Sequence, residues 1–143
     1  MIKIRHTGLV TKDLKKSLFF WNKLMKFKIK KRAIESGQLI DKIMEYRFSK
    51  VETIKLCDKS GMLLELLYFF NPPKIKKNSI KPFSNGFTHI SITVKDINKI
   101  YKLLRNHNIK FNSKPTKSID GRVLMTYCKT PEGAYLELVE ELN

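Results

Sequence analysis

The sequence is poor in cysteine and contains no long apolar run. Two cysteines, Cys57 and Cys128, are too few for a disulfide scaffold. The most apolar segment, residues 63–70, is interrupted by Glu65 and is far shorter than the roughly 18–20 residues that a transmembrane helix needs. The first residues lack the apolar stretch and cleavage site of a signal peptide. We therefore expect a soluble cytoplasmic protein without a membrane partner.

Acidic residues are also scarce, 13 against 29 basic ones, and the formal net charge is +16. Such a charge suits a polyanionic partner, either nucleic acid or a phosphorylated small molecule. Arginine, whose forked guanidinium favours phosphate and base recognition, supplies only five of the basic residues. The lysines are scattered, apart from runs within residues 26–32 and 74–77. We predict no nucleic-acid partner, while a negatively charged small substrate stays open.

The sequence does contain an internal repeat. Residues 4–14 resemble residues 87–97, and each copy carries a histidine seven residues before an aspartate. Residues 61–67 likewise resemble residues 133–139, and each of these copies carries a glutamate four residues after a glycine. Two imidazoles and two carboxylates form a metal site when the copies pack together. The four candidate ligands are His6, Glu65, His89 and Glu137.

Each half is predicted to fold as β-α-β-β-β. Asp13 and Asp96 are expected to cap the helix of their half, and the apolar spacing extends the first helix to about residue 25. Residues 33–50 show no sustained pattern beyond a short helix near 39–44. The predicted strands of the first half are residues 4–10, 27–32, 51–56 and 62–70. Those of the second half are residues 87–94, 109–112, 123–128 and 134–140.

We predict a single α+β domain, residues 1–143, made of two βαβββ modules. The modules are residues 1–70 and 86–143, and an exposed, proline-containing linker at 71–85 joins them. One such module leaves one face of its sheet uncovered by its helix. Two modules in pseudo-twofold arrangement form a cupped mixed sheet whose concave face can hold a ligand. A carboxylate among apolar strand residues is costly to bury, and a cation in the cup removes that cost.

With these motifs the sequence resembles the vicinal oxygen chelate superfamily, also called the glyoxalase/bleomycin-resistance/extradiol-dioxygenase group. The resemblance rests on the two histidine strands with their following Lys-Asp, on residues 64–68, and on residues 130–133 with 136–139. Relatives of the lactoylglutathione lyase type hold one divalent metal through two ligands from each half. Carried over by motif, these ligands are His6, Glu65, His89 and Glu137.

The resemblance implies a metal-dependent lyase or isomerase that acts on a small substrate with adjacent oxygens. The metal stabilises an enediolate-like intermediate, and a metal-bound glutamate can act as the base. Glu65 and Glu137 are therefore the candidate catalytic residues, and the sequence does not decide between them. Nickel, zinc, cobalt, manganese and iron all suit this ligand set. Small members of the superfamily often pair, so we expect a homodimer.

Three alternatives stay open at this point. An epimerase resembling methylmalonyl-CoA epimerase suits the basic surface, but that family commonly carries an amide at the position of Glu65. An extradiol dioxygenase uses two histidines and one glutamate in a longer chain. A non-catalytic drug-binding protein of the bleomycin-resistance type has no use for four intact ligands. The substrate itself depends on residues 33–50 and 71–85, where the pattern is least readable.

Overall fold

In the computed structural model, which describes residues 1–76 and 79–142, each half of the chain forms its own four-stranded mixed sheet. The chain divides into two units, Met1–Lys77 (unit one) and Asn78–Asn143 (unit two). In both sheets the first strand of the unit pairs in parallel with the last, and the other neighbours are antiparallel. The predicted α+β class with two βαβββ modules is confirmed.

Unit one has the strand order β1-β4-β3-β2. Its strands are β1 (Thr7–Val10), β2 (Lys28–Ser36), β3 (Lys50–Cys57) and β4 (Leu63–Phe69). Helix α1 (Leu14–Leu18) continues into a π-helical segment, Phe19–Leu24, and helix α2 (Gln38–Met44) joins β2 to β3. The Asp13 carboxylate caps α1, as predicted, because it accepts a hydrogen bond of 3.0 Å from the backbone N–H of Lys16.

One face of the first sheet carries the core of unit one. Leu64 and Leu66 of β4 are buried, while Glu65 between them is more exposed, as expected where successive side chains point to opposite faces. Phe20 and Trp21, from the π-helical segment, are fully buried and contact each other edge to face. The other face of the sheet is the one that carries Glu65.

Unit two has the strand order β5-β8-β7-β6. Its strands are β5 (His89–Thr93), β6 (Thr116–Lys117), β7 (Val123–Lys129) and β8 (Tyr135–Glu141), and its helix is α3 (Ile97–Asn106). The Asp96 carboxylate caps α3 through a hydrogen bond of 2.8 Å from the backbone N–H of Lys99. Leu136 and Leu138 of β8 are fully buried with Leu104 of α3. Glu137, between them, points to the other face.

The prediction of a strand at residues 109–112 is wrong. That segment forms a single bridge, Phe111 to Cys128, and the outer strand β6 follows only at Thr116–Lys117. Phe111 instead packs its ring on Tyr101 of α3, with ring centroids 4.7 Å apart. The segment nevertheless stays beside β7, through backbone hydrogen bonds from the Asn112 N–H to the Tyr127 carbonyl and from the Lys129 N–H to the Lys110 carbonyl. Residues 33–50 are also more regular than expected, because β2 continues to Ser36 and the predicted short helix is present as α2.

The described residues of the predicted linker, 71–76 and 79–85, contain neither helix nor strand and are largely exposed. Lys77 and Asn78, also assigned to the linker, lie outside the described residues, as does Asn143. Within residues 1–76 and 79–142, no helix has the length and apolar character needed to cross a membrane. The predicted domain limits and the cytoplasmic location stay predictions.

Candidate functional site

The first predicted pair, His6 and Glu65, comes together in unit one. The parallel register of β1 and β4 places Gly8 opposite Glu65, and His6 lies two residues before Gly8. Nε2 of His6 is 3.1 Å from Oε2 of Glu65, whose side chain is 12% exposed. The chain therefore brings an imidazole nitrogen to a largely buried carboxylate on the face of the sheet away from the core.

Lys55 is a third member of this group, and the sequence analysis missed it. The antiparallel register of β3 and β4 places Lys55 directly opposite Glu65. Its Nζ lies 3.6 Å from Oε1 of Glu65, so each carboxylate oxygen has its own partner. The signal that could have revealed it is the hairpin turn at residues 58–61, which sets the pairing of the two strands.

The second predicted pair, His89 and Glu137, comes together in unit two. Their strands, β5 and β8, are parallel neighbours, and Nε2 of His89 is 3.8 Å from Oε2 of Glu137. Nδ1 of His89 lies 3.0 Å from the hydroxyl of Thr88. This contact leaves Nε2 as the nitrogen that faces the carboxylate. A hydrogen bond on the far nitrogen is also what commonly orients a metal-binding histidine.

Tyr127 stands where Lys55 stands in unit one. Strand β7 places it directly opposite Glu137, and its ring meets that of His89 edge to face at a centroid distance of 5.4 Å. Burial raises the pKa of the Tyr127 phenol, and the charge and hydrogen bond of Glu137 raise the pKa further. The phenol therefore stays protonated and donates to Glu137. Tyr127, like Lys55, was not predicted, because its place opposite a glutamate depends on how the two strands of a hairpin pair.

Two further acidic residues of unit one, Glu52 and Asp41, have structural partners. Glu52 is nearly buried and pairs with Arg32, on the opposite face of the sheet from Glu65. The Asp41 carboxylate accepts the backbone N–H groups of Phe48 and Ser49 and thereby closes the turn after α2. The two pairs of predicted ligands, with Lys55 and Tyr127, are therefore the groups that the fold presents for chemistry.

The two cysteines are free thiols within the packed strands. Both side chains are buried at the ends of their strands. Burial raises the pKa of the Cys128 thiol to about 12, which keeps it in the unreactive protonated form at neutral pH. Cysteine chemistry at Cys128 is therefore not favoured.

The donor set fits a divalent metal within each pair. Two adjacent ligands at bond lengths of about 2.1 Å lie about 3.0 Å apart in octahedral geometry and about 3.4 Å apart in tetrahedral geometry, and the 3.1 Å between His6 and Glu65 falls in this range. The 3.8 Å between His89 and Glu137 requires a small side-chain rotation. Nδ1 of His6 is buried without a hydrogen-bond partner among the described residues. Each unit thus supplies one histidine and one glutamate.

Three or more ligand side chains do not cluster anywhere in the described part of the chain. Convergence of all four predicted ligands on one ion therefore stays a prediction. The structure shows one group of three neighbouring side chains in each unit, and each group is called here a half-site. The first half-site is His6, Lys55 and Glu65, and the second half-site is His89, Tyr127 and Glu137.

Residues 3–138 match the family model described as Glyoxalase/Bleomycin resistance protein/Dioxygenase superfamily. The chain belongs to this superfamily. The resemblance inferred from the sequence motifs is therefore confirmed over nearly the whole chain. Its members include enzymes such as glyoxalase I, so the superfamily by itself does not assign one reaction to this chain.

Solved structures of the superfamily share the fold. A glyoxalase family protein from Bacillus cereus is 21% identical with a TM-score of 0.90, and the match covers 100% of this chain and 96% of that one. The trypanothione-dependent glyoxalase I of Leishmania major is 20% identical with a TM-score of 0.66, covering 99% and 88%. A glyoxalase I mutant from Zea mays is 16% identical with a TM-score of 0.69, covering 99% and 45%. No curated protein matches the sequence significantly.

Proposed function

We propose that this protein is a metal-dependent lyase or isomerase of the glyoxalase type. The observation that carries the proposal is the repeated His–Glu pair. In both units a histidine Nε2 on or beside the first strand faces a glutamate carboxylate on the last strand, at 3.1 Å and 3.8 Å. Membership of the superfamily supports it. The residues that would hold the metal are His6, Glu65, His89 and Glu137.

The proposed substrate is a small molecule with two adjacent oxygens. A divalent cation (nickel, zinc, cobalt, manganese or iron) would supply Lewis-acid stabilisation of negative charge on those oxygens. The chain itself would supply the base that removes a proton next to a carbonyl group. Both glutamates are chemically able to do this, and their surroundings distinguish them.

In this proposal Glu137 is the base and Glu65 is a fixed ligand. Lys55 holds Glu65 from across the hairpin, so this carboxylate already has a cationic partner within the fold. Glu137, in contrast, faces the neutral phenol of Tyr127 and the imidazole of His89. A carboxylate with no ammonium group to hold it is the one free to accept a proton. Tyr127 would orient it by donating a hydrogen bond.

One observation favours a second function, that of a non-catalytic binder of small molecules. Because Lys55 neutralises Glu65, the first half-site is balanced in charge without any metal. In a binding protein that no longer uses a metal, the Lys55–Glu65 ion pair would neutralise the carboxylate instead. The two functions predict opposite outcomes in a metal titration.

The deciding experiment is a metal titration of EDTA-treated protein, followed by thermal unfolding. Under the lyase proposal a binding metal at a hundred times its Kd adds about 2.7 kcal/mol to the free energy of unfolding. Glu137→Gln should reduce this gain. The matched control is Glu141→Gln, at the exposed end of the same strand, which should keep the gain. If none of the five metals stabilises the wild type, the binding-protein function replaces the lyase.

We further propose that the protein forms a homodimer, because each unit has open sheet edges that association can cover. Sedimentation equilibrium at tens of micromolar protein tests this directly. A species at the 16.8 kDa mass of one chain would refute it.

A further inference from the structure

A lysine-rich pocket lies at one end of the first sheet, and its lining includes none of the His–Glu residues. Its volume is about 950 Å³, within the usual range for small-molecule sites. It forms where the π-helical segment leads into β2, beside the turn that joins β3 to β4. Four lysines line it, and they are called here the pocket lysines: Lys26, Lys28, Lys30 and Lys59.

The charge of this pocket is not balanced from within. Asp58 is the only acidic residue among the described residues that line it. Oδ1 of Asp58 accepts hydrogen bonds from the backbone N–H groups of Ser60 and Met62, both at 2.9 Å, and from the Ser60 hydroxyl at 2.8 Å. One oxygen of that carboxylate is therefore engaged in the turn, and its single negative charge faces four lysines. Among the described residues, none of the pocket lysines forms an ion pair.

The pocket also has an apolar part, built on ordered segments. Phe27 and Leu63 line it, and the Phe27 ring packs on the buried Trp21 at a centroid distance of 5.5 Å. The side-chain amide of Asn22 donates to the Phe27 carbonyl at 2.8 Å, which fixes the chain where it enters β2. Lys26 holds a left-handed backbone conformation with φ of 63°. Such a strained residue persists only where its surroundings hold it in place.

We propose that this pocket binds a small molecule that carries two or more phosphate groups. Several unpaired ammonium groups around one cavity repel each other, and a compact polyanion relieves that repulsion. Lysine serves phosphate as a concentrated point charge with three donors. The apolar part provided by Phe27 and Leu63 can hold the uncharged portion of such a ligand.

The pocket reaches the face of the sheet on which the first half-site lies. Leu63 is two residues before Glu65 on β4, so both side chains point to the same face, about 7 Å apart along the strand. The polyphosphate site is nevertheless independent of the proposed metal chemistry, because none of its lining residues is a predicted metal ligand.

The test uses inorganic triphosphate as the probe and EDTA-treated full-length protein. Binding is measured by isothermal titration calorimetry at low and at high salt. The test variant is Lys28→Gln/Lys59→Gln, and the matched control is Lys99→Gln/Lys102→Gln, which removes the same charge from the exposed surface of α3. Circular dichroism confirms that both variants fold. A metal is absent throughout, so failure of this proposal is distinguishable from failure of the lyase proposal.

The expected result is that wild type and control bind triphosphate alike, while the pocket variant binds roughly tenfold more weakly. Affinity should fall at high salt, because exposed charges are screened. Two results would overturn the proposal. The wild type could fail to bind triphosphate, whether or not a short oligonucleotide binds, or the control could lose as much affinity as the pocket variant.

Discussion

The difference in charge between the two half-sites arises at one position, the residue directly across the hairpin from the glutamate. In unit one this residue is Lys55, and in unit two it is Tyr127. The frame around it is the same, because a parallel strand pair presents the histidine and an antiparallel neighbour presents the variable residue. A repeat can therefore keep its geometry while its two copies diverge in electrostatics. One glutamate is held by a cation, and the other by a neutral hydrogen-bond donor.

The strongest way to break this comparison is to neutralise each glutamate in turn. Glu137→Gln keeps the volume of the side chain but cannot accept the proton, so we expect kcat to fall by about 100- to 10,000-fold on any substrate identified. Glu65→Gln should lower kcat less, because Glu65 is proposed only to bind the metal.

The measurement is steady-state kinetics of metal-loaded protein, with Glu141→Gln as the control that keeps full activity. Equal losses for Glu65→Gln and Glu137→Gln would remove the functional difference between the half-sites.

The cysteines provide a second comparison between the units. With a thiol pKa raised from 9.0 to about 12, Cys128 should react with iodoacetamide at pH 8 at least about a hundredfold more slowly in the folded protein than in urea. Cys57 is buried slightly less completely and should be alkylated first. Peptide mapping by mass spectrometry at timed intervals gives both rates. Faster labelling of Cys128 would contradict the packing of β7.

The same thiol gives a stability effect with a defined sign. Because the folded pKa is raised, the unfolded chain ionises at Cys128 first. The contribution of the Cys128 thiol to the free energy of unfolding is fully present below pH 9.0, and it is lost as the pH rises towards about 12. Denaturant unfolding across this window, compared with Cys128→Ala, measures it. If the free energy of unfolding falls with pH equally steeply in Cys128→Ala, the loss of stability at alkaline pH comes from other groups.

The helix caps should behave alike in the two units. Asp13→Ala and Asp96→Ala each remove a carboxylate that accepts a backbone N–H at the start of a helix. Each should lower the free energy of unfolding by about 1 kcal/mol. Urea unfolding followed by circular dichroism measures the loss, and replacement by Asn, which also caps, should restore most of it. A loss in one unit alone would show that the repeat is less symmetric than its backbone.

The smallest expected effect concerns Lys55. Lys55→Met removes a partly exposed ion pair, so the metal-free protein should lose only about 0.5 kcal/mol. Metal affinity should rise several-fold, because the ammonium group no longer competes for Glu65. The matched control is Lys31→Met, since Lys31 pairs with Lys55 across β2 and β3 without contacting the carboxylate in any described ion pair. If Lys55→Met binds metal more weakly than the wild type, Lys55 does not compete with the metal for Glu65.

Much of the fold followed from local patterns. The capping aspartates, the apolar stripe of the first helix and the repeated strand motifs all report interactions within a few residues, and the structure contains each of them. The strand expected at residues 109–112 failed for the opposite reason. Its alternation is typical of a strand, but how far the segment pairs depends on β7, and local propensity does not register that pairing.

The sequence by itself determined which residues recur, and His6, Glu65, His89 and Glu137 form two matched pairs in it. Only the tertiary structure decided that each histidine lies within 4 Å of the glutamate of its own unit, and that Lys55 and Tyr127 complete the two half-sites. The physical reason is strand register. Which side chains stand opposite each other depends on how two strands pair, and a slip of one residue would turn every one of these side chains to the other face.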